Sequence, residues 1–276
     1  MSNSTETARD WSAVAAAWDA NVDDVDDHSI AATEALLDRV AVQPGDRVLE
    51  LAAGPGSLGP TWSRLVGTTG TVVVSDIAPS MVDVAQRRNA ALGNITVTVL
   101  DASAIDQPDA SFDVVACRMG LMFAPEPSVA FAEIHRVLAP GGRLGALTWG
   151  ALEHNPWMTC VGMAAMINGL IAGGPPTGPG GIFSLGDSDQ LKTLVATAGF
   201  MDVMVEEIAI IFRAENIDAH IERVSSLAGP LAAILQRASV EQQAAMRRTA
   251  TDLAAAHLTT KGLEIPGRAL LVSARR

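Results

Sequence analysis

The stretch Arg47-Val48-Leu49-Glu50-Leu51-Ala52-Ala53-Gly54-Pro55-Gly56-Ser57-Leu58-Gly59 decides the fold of this chain. Its apolar first half, introduced by Pro44-Gly45, predicts a short buried strand. The strand ends in a carboxylate, Glu50, and breaks into a turn whose glycines leave room for a ligand or a closely packed backbone. The run 61–66 contains no helix breaker, so a helix is predicted after the turn.

Two classes of cofactor fit this turn. Residues 54–59 match the dinucleotide-binding spacing G-x-G-x-x-G, and Asp76 supplies an acid about 20 residues later. Glu50 argues against a pyrophosphate, because a carboxylate at the strand end repels a second anion. The same carboxylate attracts a ligand that carries an ammonium and a sulfonium, as S-adenosylmethionine (SAM) does. A purely structural role, in which Glu50 hydrogen-bonds the turn, stays open.

Strands and helices alternate along the next hundred or so residues. Buried strands are predicted at 71–76, 95–100, 112–117 and 143–149, with helices at 80–89 and 129–138. This alternation predicts a parallel sheet with right-handed crossovers, whose ligand lies beyond the carboxyl ends of the strands. Four charged side chains come at those ends and form one predicted constellation: Glu50, Asp76, Asp101 and Arg118.

The flanking segments are less regular. A helix over 11–18 places Trp11 and Trp18 on one face, where they dock on the core or cover a cofactor. The acidic run 22–27 is expected to be a solvated loop, and Ser29 to cap a second helix over 30–40. Later elements are predicted as an uncharged helix (156–171), a glycine/proline linker (173–181), a helix (187–198), one or two strands (201–212), helices (214–260) and a last strand (268–273).

Composition limits the partners of the chain. Its 276 residues, 49% of them hydrophobic, suit one large domain, or one domain with an insertion. A net charge of −12 and 19 scattered basic residues argue against a nucleic-acid partner. Cys117 and Cys160 form neither a disulfide framework nor a metal motif, and the N-terminus lacks the build of a secretory signal. We therefore expect a cytoplasmic setting, no metal, and no membrane span.

Several of these motifs resemble those of class I SAM-dependent methyltransferases, in the broad group of methyltransferase type 11 and ubiquinone/menaquinone-biosynthesis C-methyltransferases. The likeness rests on residues 48–56, 75–81, 101–102, 112–115 and 136–142, and it is dense from 46 to 149. It implies a Rossmann-like, doubly wound, mostly parallel seven-stranded sheet with helices on both faces and a helical cap. The implied organisation is an N-terminal helical lid (1–45), a SAM-binding core (46–150), a cap helix, linker and late strands (151–213), a helical insertion (214–262) and a final strand (263–276).

The resemblance also implies cofactor roles for residues at the strand ends. The methionine end of SAM is expected beside Glu50, Arg118 and Met119, along the backbone of Ala52, Gly54 and Gly56. Ribose and adenine are expected beside Asp76, Ile77, Met81, Asp101 and Ala102, with Trp18 closing the site from the lid. The family often has glycine where this chain has Ala52, so a small steric adjustment is expected there.

The implied reaction is an in-line displacement at the sulfonium, for which the protein need not supply a covalent nucleophile. Holding the acceptor against the methyl group in a dry pocket supplies most of the effect. A general base matters only if the acceptor must lose a proton. The candidates on the acceptor side are His28, near the lid, and His154 with Trp157, just after the fifth strand. A structural role explains each histidine equally well, and His135 is expected to be a packing residue.

We therefore predict an enzyme that transfers the SAM methyl group to a small, lipophilic or aromatic acceptor. The apolar cap segments would roof the acceptor, although the same surface would also serve a homodimer interface. Two other functions stay open: an NAD(P)-dependent oxidoreductase on a similar fold, and a non-catalytic SAM-binding scaffold.

Overall fold

A single sheet organises the molecule. The computed structural model describes residues 3–276 except 172–175, 229–230, 232–233 and 236. The strands are β1 (Arg47–Leu51), β2 (Thr71–Asp76), β3 (Ile95–Val99), β4 (Phe112–Arg118), β5 (Leu138–Trp149), β6 (Met201–Ala214), β7 (Leu258–Thr259) and β8 (Gly262–Arg275). Their spatial order is β3-β2-β1-β4-β5-β8-β6, and the two-residue β7 pairs with β8.

Strand direction divides the sheet into two parts. β1 to β5 pair in parallel, whereas β8 runs antiparallel to β5, β6 and β7. The chain order reverses on either side of β1, and such a switch point opens a crevice at the carboxyl ends of the strands. The predicted Rossmann-like, mostly parallel seven-stranded sheet is confirmed, with β7 as a short addition.

Helices cover both faces of the sheet. They are α1 (Asn3–Val40), α2 (Gly59–Val66), α3 (Pro79–Asn89), α4 (Pro127–Val137), α5 (Pro156–Ile167), α6 (Ser188–Thr197), α7 (Ile217–Leu227) and α8 (Val240–Ala254). Asp187 caps α6 by accepting two backbone N–H bonds, and Gly199 follows it at φ +99°, as a helix-ending glycine does. The predicted linker over 173–181 begins among residues outside the described part of the chain.

The central strands are apolar on both faces because helices bury them from each side. Val48 of β1 stands between Val72 of β2 and Val114 of β4, and all three are at most 1% exposed. Trp62 from α2 and Phe131 from α4 are fully buried in the same core cluster. This core holds the carboxyl ends of β1, β2 and β4 rigidly beside one another.

The N-terminal segment differs from its prediction. Residues 22–27 are not a solvated loop and Ser29 is not a cap, because α1 runs unbroken through both. The Ser29 hydroxyl donates back to the Val25 carbonyl at 2.8 Å, a bond that a serine inside a helix can make. Asp24 and Asp26 pair with arginines from distant parts of the chain, so tertiary contacts compensate the acidic run.

The two halves of α1 pack on different surfaces. Val14 and Ala15 lie against Ala78 and Met81 at the start of α3. At the other end, Val40 packs so closely on β5 that a side chain on Gly145 would overlap it. The helix therefore runs from the face of the sheet to the surface beside the carboxyl end of β2.

The C-terminal part consists of long antiparallel strands with a helical segment between them. β6 and β8 pair from Met201–Arg275 to Ala214–Leu263, and α7 and α8 lie between them in the sequence. The expected one or two strands at 201–212 are a single strand, β6. In the residues that the structure covers, no helix combines the length and the hydrophobicity needed to cross a membrane.

Candidate active site

Glu50 occupies the penultimate position of β1, level with Ala116 of β4, and is 2% exposed. Burial raises the pKa of its carboxyl group to about 7, and the positive charge of Arg118 opposes that shift. Its Oε2 atom has no hydrogen-bond partner among the residues that the structure describes. An orphaned buried acceptor is costly, so this oxygen suits a bound donor or cation.

The turn after β1 has glycine where a side chain would interfere. Gly54 has φ +55°, donates its N–H to Asp76 Oδ2 at 2.8 Å, and has no described atom within 4 Å of the place where a Cβ would stand. Gly56 differs, because a Cβ there would lie 2.8 Å from Cβ of Ala85 and 2.9 Å from Nδ2 of Asn89. Gly54 leaves open space for a ligand, whereas Gly56 allows α3 to pack closely.

Ala52, the first residue of the turn, is accommodated by an unusual backbone conformation. Ala52 adopts φ +50°, a left-handed conformation that costs a non-glycine residue roughly 1–2 kcal/mol. Met119, just after β4, is also left-handed, at φ +59°. Two strained residues at one edge of the sheet are typical of a functional site.

Asp76 ends β2 and binds the turn. Its Oδ2 accepts from Gly54 and its Oδ1 accepts from the backbone N–H of Ala78 at 2.9 Å. Burial raises the pKa of Asp76, while hydrogen bonds from the backbone of Ala78, Gly54 and Ile77 oppose the rise. A carboxylate offers about four lone-pair sites, so these named bonds leave room for further donors.

The residues expected around adenine lie on the loops after β2 and β3 and in the first turn of α3. Ile77, Asp101 and Ala102 are half-buried, and Asp101 accepts the backbone N–H of Ser103 at 2.8 Å. Met81 is 2% exposed because the first half of α1 covers it. Helix α1 therefore packs directly on a side chain expected to contact the cofactor.

Arg118 connects the end of β4 with the middle of α1. Its guanidinium forms an ion pair with Asp26 at 2.7 Å and donates to Ser57 Oγ at 2.9 Å and Thr33 Oγ1 at 3.2 Å. Sequence reasoning predicted Arg118 but missed Asp26. The only available signal was the acidic run itself, whose aspartates are compensated only in the folded chain.

The lid tryptophans contact two parts of the structure. Trp11 and Trp18 share one helix face, as expected, with ring centres 6.1 Å apart. Trp11 also meets Phe123, beyond β4, at 4.9 Å, and Trp18 donates its indole N–H to the Leu227 carbonyl of α7 at 3.0 Å. Helix α1 is thus tied both to the sheet edge and to the helical insertion.

The histidines proposed from sequence have different surroundings. Both ring nitrogens of His28 face backbone groups, Nδ1 at the Asp24 carbonyl (2.7 Å) and Nε2 at Arg213. His154 is exposed on the turn before α5. Trp157 is buried, stacking on Phe212 with ring centres 4.3 Å apart. His28 and Trp157 therefore meet at Phe212, and His154 is exposed.

One buried histidine escaped the sequence reasoning. His220 of α7 is fully buried, and its Nε2 lies 2.6 Å from the Trp157 carbonyl. Its position in an alanine-rich helical segment offers no motif, so only the tertiary structure reveals it.

Part of this chain is similar in sequence to known methyltransferases. Residues 48–142 match the family described as a methyltransferase domain. The ubiquinone/menaquinone biosynthesis C-methyltransferase UbiE of Erwinia tasmaniensis is 40% identical over 123 residues, which are 44% of this chain and 49% of that protein. Residues 48–142 therefore resemble a methyltransferase domain. The chain spans about half the length of the curated relatives it matches.

Solved structures share the fold of this chain. The YcgJ protein of Bacillus subtilis superposes with a TM-score of 0.59 at 18% identity, over 88% of this chain and 97% of its own. A phosphoethanolamine N-methyltransferase of Haemonchus contortus, determined in complex with SAM, gives 0.56 at 17% identity, over 88% and 51% of the two chains. At these identities the likeness concerns the fold alone.

The residues present fit SAM at the carboxyl edge of the sheet. Glu50 offers an unpaired anionic oxygen, Asp76 has spare acceptor capacity, and Gly54 leaves space. Within the described residues, no group of three or more acidic, histidine or cysteine side chains is arranged to hold a metal ion.

Proposed function

We propose that this protein transfers the methyl group of SAM to a small, lipophilic or aromatic acceptor. The observation that carries the proposal is the buried carboxyl group of Glu50, whose orphaned oxygen lies at the end of β1, where the glycine turn begins. A cationic ligand would relieve both the missing hydrogen bond and the cost of burying the charge.

The chain's own residues would hold the cofactor at three points. In this proposal Glu50 and Arg118 bind the methionine end, along the backbone of Ala52, Gly54 and Gly56. Asp76 accepts the ribose hydroxyls, and Ile77, Met81, Asp101 and Ala102 surround the adenine. The lid, through Trp18, excludes water. When bound, SAM supplies a methyl group activated by the sulfonium, so the protein has chiefly to orient the acceptor and keep the site dry.

An aromatic cluster supports the choice of acceptor. Trp149 at the end of β5, Trp157 of α5 and Phe212 of β6 pack with ring centres 4.3–5.8 Å apart, and His28 stacks on Phe212. Aromatic surfaces favour flat apolar rings. The UbiE relatives are named for C-methylation in quinone biosynthesis. A quinol-like ring is therefore the acceptor that we test first.

The cheapest test is isothermal titration with SAM and, separately, with NAD. We expect SAM to bind, Glu50→Gln to weaken it, and NAD to give no heat. Asp27→Asn, a substitution of an exposed aspartate in α1, is the matched control. NAD binding with no SAM binding would favour the oxidoreductase alternative.

Activity needs a second measurement, because a SAM-binding scaffold would pass the first one. Radiolabelled SAM is incubated with hydroquinones, phenols and amines, and methyl incorporation is counted. Transfer to at least one aromatic acceptor is expected, and the product's structure assigns O-, N- or C-methylation. SAM binding without transfer to any acceptor class would favour the scaffold.

We also propose a cytoplasmic setting, in which the chain acts as a monomer or a homodimer. Cys117 and Cys160 are both buried free thiols, as a reducing compartment allows.

A further inference from the structure

His220 is the histidine whose chemistry the proposed function does not yet use. It is fully buried on α7, one turn after the Asn216 cap, and its Nε2 lies 2.6 Å from the Trp157 carbonyl. A carbonyl oxygen can only accept, so Nε2 carries the proton. That assignment fixes the tautomer and leaves Nδ1 with a lone pair.

The lone pair on Nδ1 has no partner within the described part of the chain, although the ring is completely buried. A buried acceptor without a donor costs free energy, and native structures contain few such atoms. His28 differs, because backbone groups face both of its ring nitrogens. His220 is thus oriented by one bond and left with a free, basic nitrogen.

The surroundings link this ring to the aromatic cluster that we propose faces the acceptor. Trp157, which accepts the His220 bond, is also a member of the aromatic cluster at the end of β5. Helix α7 is joined to α1 by Arg223, which pairs with Asp24 at 2.6 Å, and by the Trp18–Leu227 bond. Helix α8 meets α7 through the Arg247–Asp218 ion pair.

The charges around the ring keep it neutral. Burial lowers the pKa of His220, and the electrostatic influence of Arg223 on its own helix and of His28 on α1 lowers it further, while the bond to Trp157 opposes the shift. A neutral imidazole at neutral pH can accept a hydrogen bond or a proton.

We propose that Nδ1 of His220 binds a hydroxyl group on the aromatic acceptor and takes its proton. In that step the O–H bond breaks, the proton adds to Nδ1 to form the imidazolium, and the electron pair stays on the oxygen. An aromatic oxygen freed of its proton is a much better nucleophile, as is the ring to which it is attached. This proposal rests on the proposed function, since it names the chemistry of the same acceptor.

The test uses the full chain labelled with [15N]histidine, in the presence of S-adenosylhomocysteine. Long-range 1H–15N spectra of the free protein are expected to show a His220 ring protonated at Nε2 and not at Nδ1. Titration with 2-naphthol should shift the Nδ1 resonance, whereas 2-methoxynaphthalene, the matched ether without an O–H, should not. We expect naphthol to bind about tenfold more tightly than the ether.

His220→Gln retains an amide that can donate to the Trp157 carbonyl but removes the basic nitrogen, and His154→Gln is the exposed control. The first variant should lose the preference for naphthol and keep its affinity for SAM, while the control should change neither. An Nδ1-protonated ring, an unshifted Nδ1, or a preference that survives in His220→Gln would overturn the proposal. The first two outcomes are read in the parent spectrum, so the proposal stays testable even if the variant does not fold. A parent protein that fails to bind SAM would refute only the proposed function.

Discussion

Ala52 and Gly120 are complementary in shape: the methyl group of Ala52 fills the space that a side chain on residue 120 would need. Gly120 itself has φ −123°, a conformation open to other residues, so its glycine is required by the contact and not by the backbone. The turn therefore accepts alanine at position 52 because residue 120 has no side chain.

The first prediction follows from this pair. Gly120→Ala should destabilise the parent by about 2 kcal/mol, since the new methyl would overlap Ala52 and press on Sγ of Cys117 at 3.0 Å. The same change in an Ala52→Gly background should cost less by at least ~1 kcal/mol. Urea unfolding of the four proteins measures this coupling. Additive effects would show that the two residues do not share the space.

The second prediction concerns stability and Glu50. The pKa of its carboxyl group is raised from 4.5 to about 7 in the folded protein, so folding loses stability progressively as pH rises between those values. Glu50→Gln should therefore stabilise the protein above pH 7 by roughly 3 kcal/mol and have little effect near pH 4. Chemical unfolding at both pH values tests this, and equal effects at the two would refute the buried-charge account.

The third prediction concerns the pH dependence of SAM binding. A cationic ligand favours ionised Glu50, so SAM affinity should rise with pH, by about tenfold between pH 6 and pH 8. Proton release, seen as a buffer-dependent heat in calorimetry, should accompany binding near pH 7. Glu50→Gln should bind SAM more weakly and with a flatter pH profile. An unchanged profile in the variant would assign the titration to another group.

The fourth prediction concerns the middle of α1. Asp26→Asn removes the anion paired with Arg118 at 2.7 Å, and the partly exposed pair should contribute about 1–2 kcal/mol. Amide hydrogen exchange should quicken around residues 22–33 and the midpoint of thermal unfolding should fall. Asp27→Asn, an exposed neighbour, should change neither. Equal protection in both variants would mean that Arg118 does not hold the helix.

The parallel strands could be predicted because the sequence signals for each one lie within a few neighbouring residues. Short β-branched runs, the glycine turn and terminal acids such as Glu50 and Asp76 each lie within a few residues, so the strands and the acids at their ends can be located from the sequence. The continuity of helix α1 through residues 22–29 could not be predicted from such local signals. The acidic middle of this helix is compensated by Arg118 and Arg223, which lie about 90 and 200 residues away, and local charge patterning cannot register such partners.

His220 shows the same limit at the site. Its importance lies in one bond to Trp157, 63 residues away, and in a missing second bond within the described residues. From sequence alone His154 is the stronger candidate because it lies shortly after β5, but in the structure its side chain is exposed to solvent.

Helix α1 is a single rod of 38 residues, about 57 Å long, anchored on β5 at one end and resting on Met81 at the other. A lid made of two helices could open at the loop between them, but a continuous helix has no internal loop that could act as a hinge. With SAM bound beside Met81 as we propose, exchange of the cofactor would require the N-terminal end of α1 to unwind or the whole helix to shift. Unwinding of one helix end would then limit how fast product is replaced by fresh SAM.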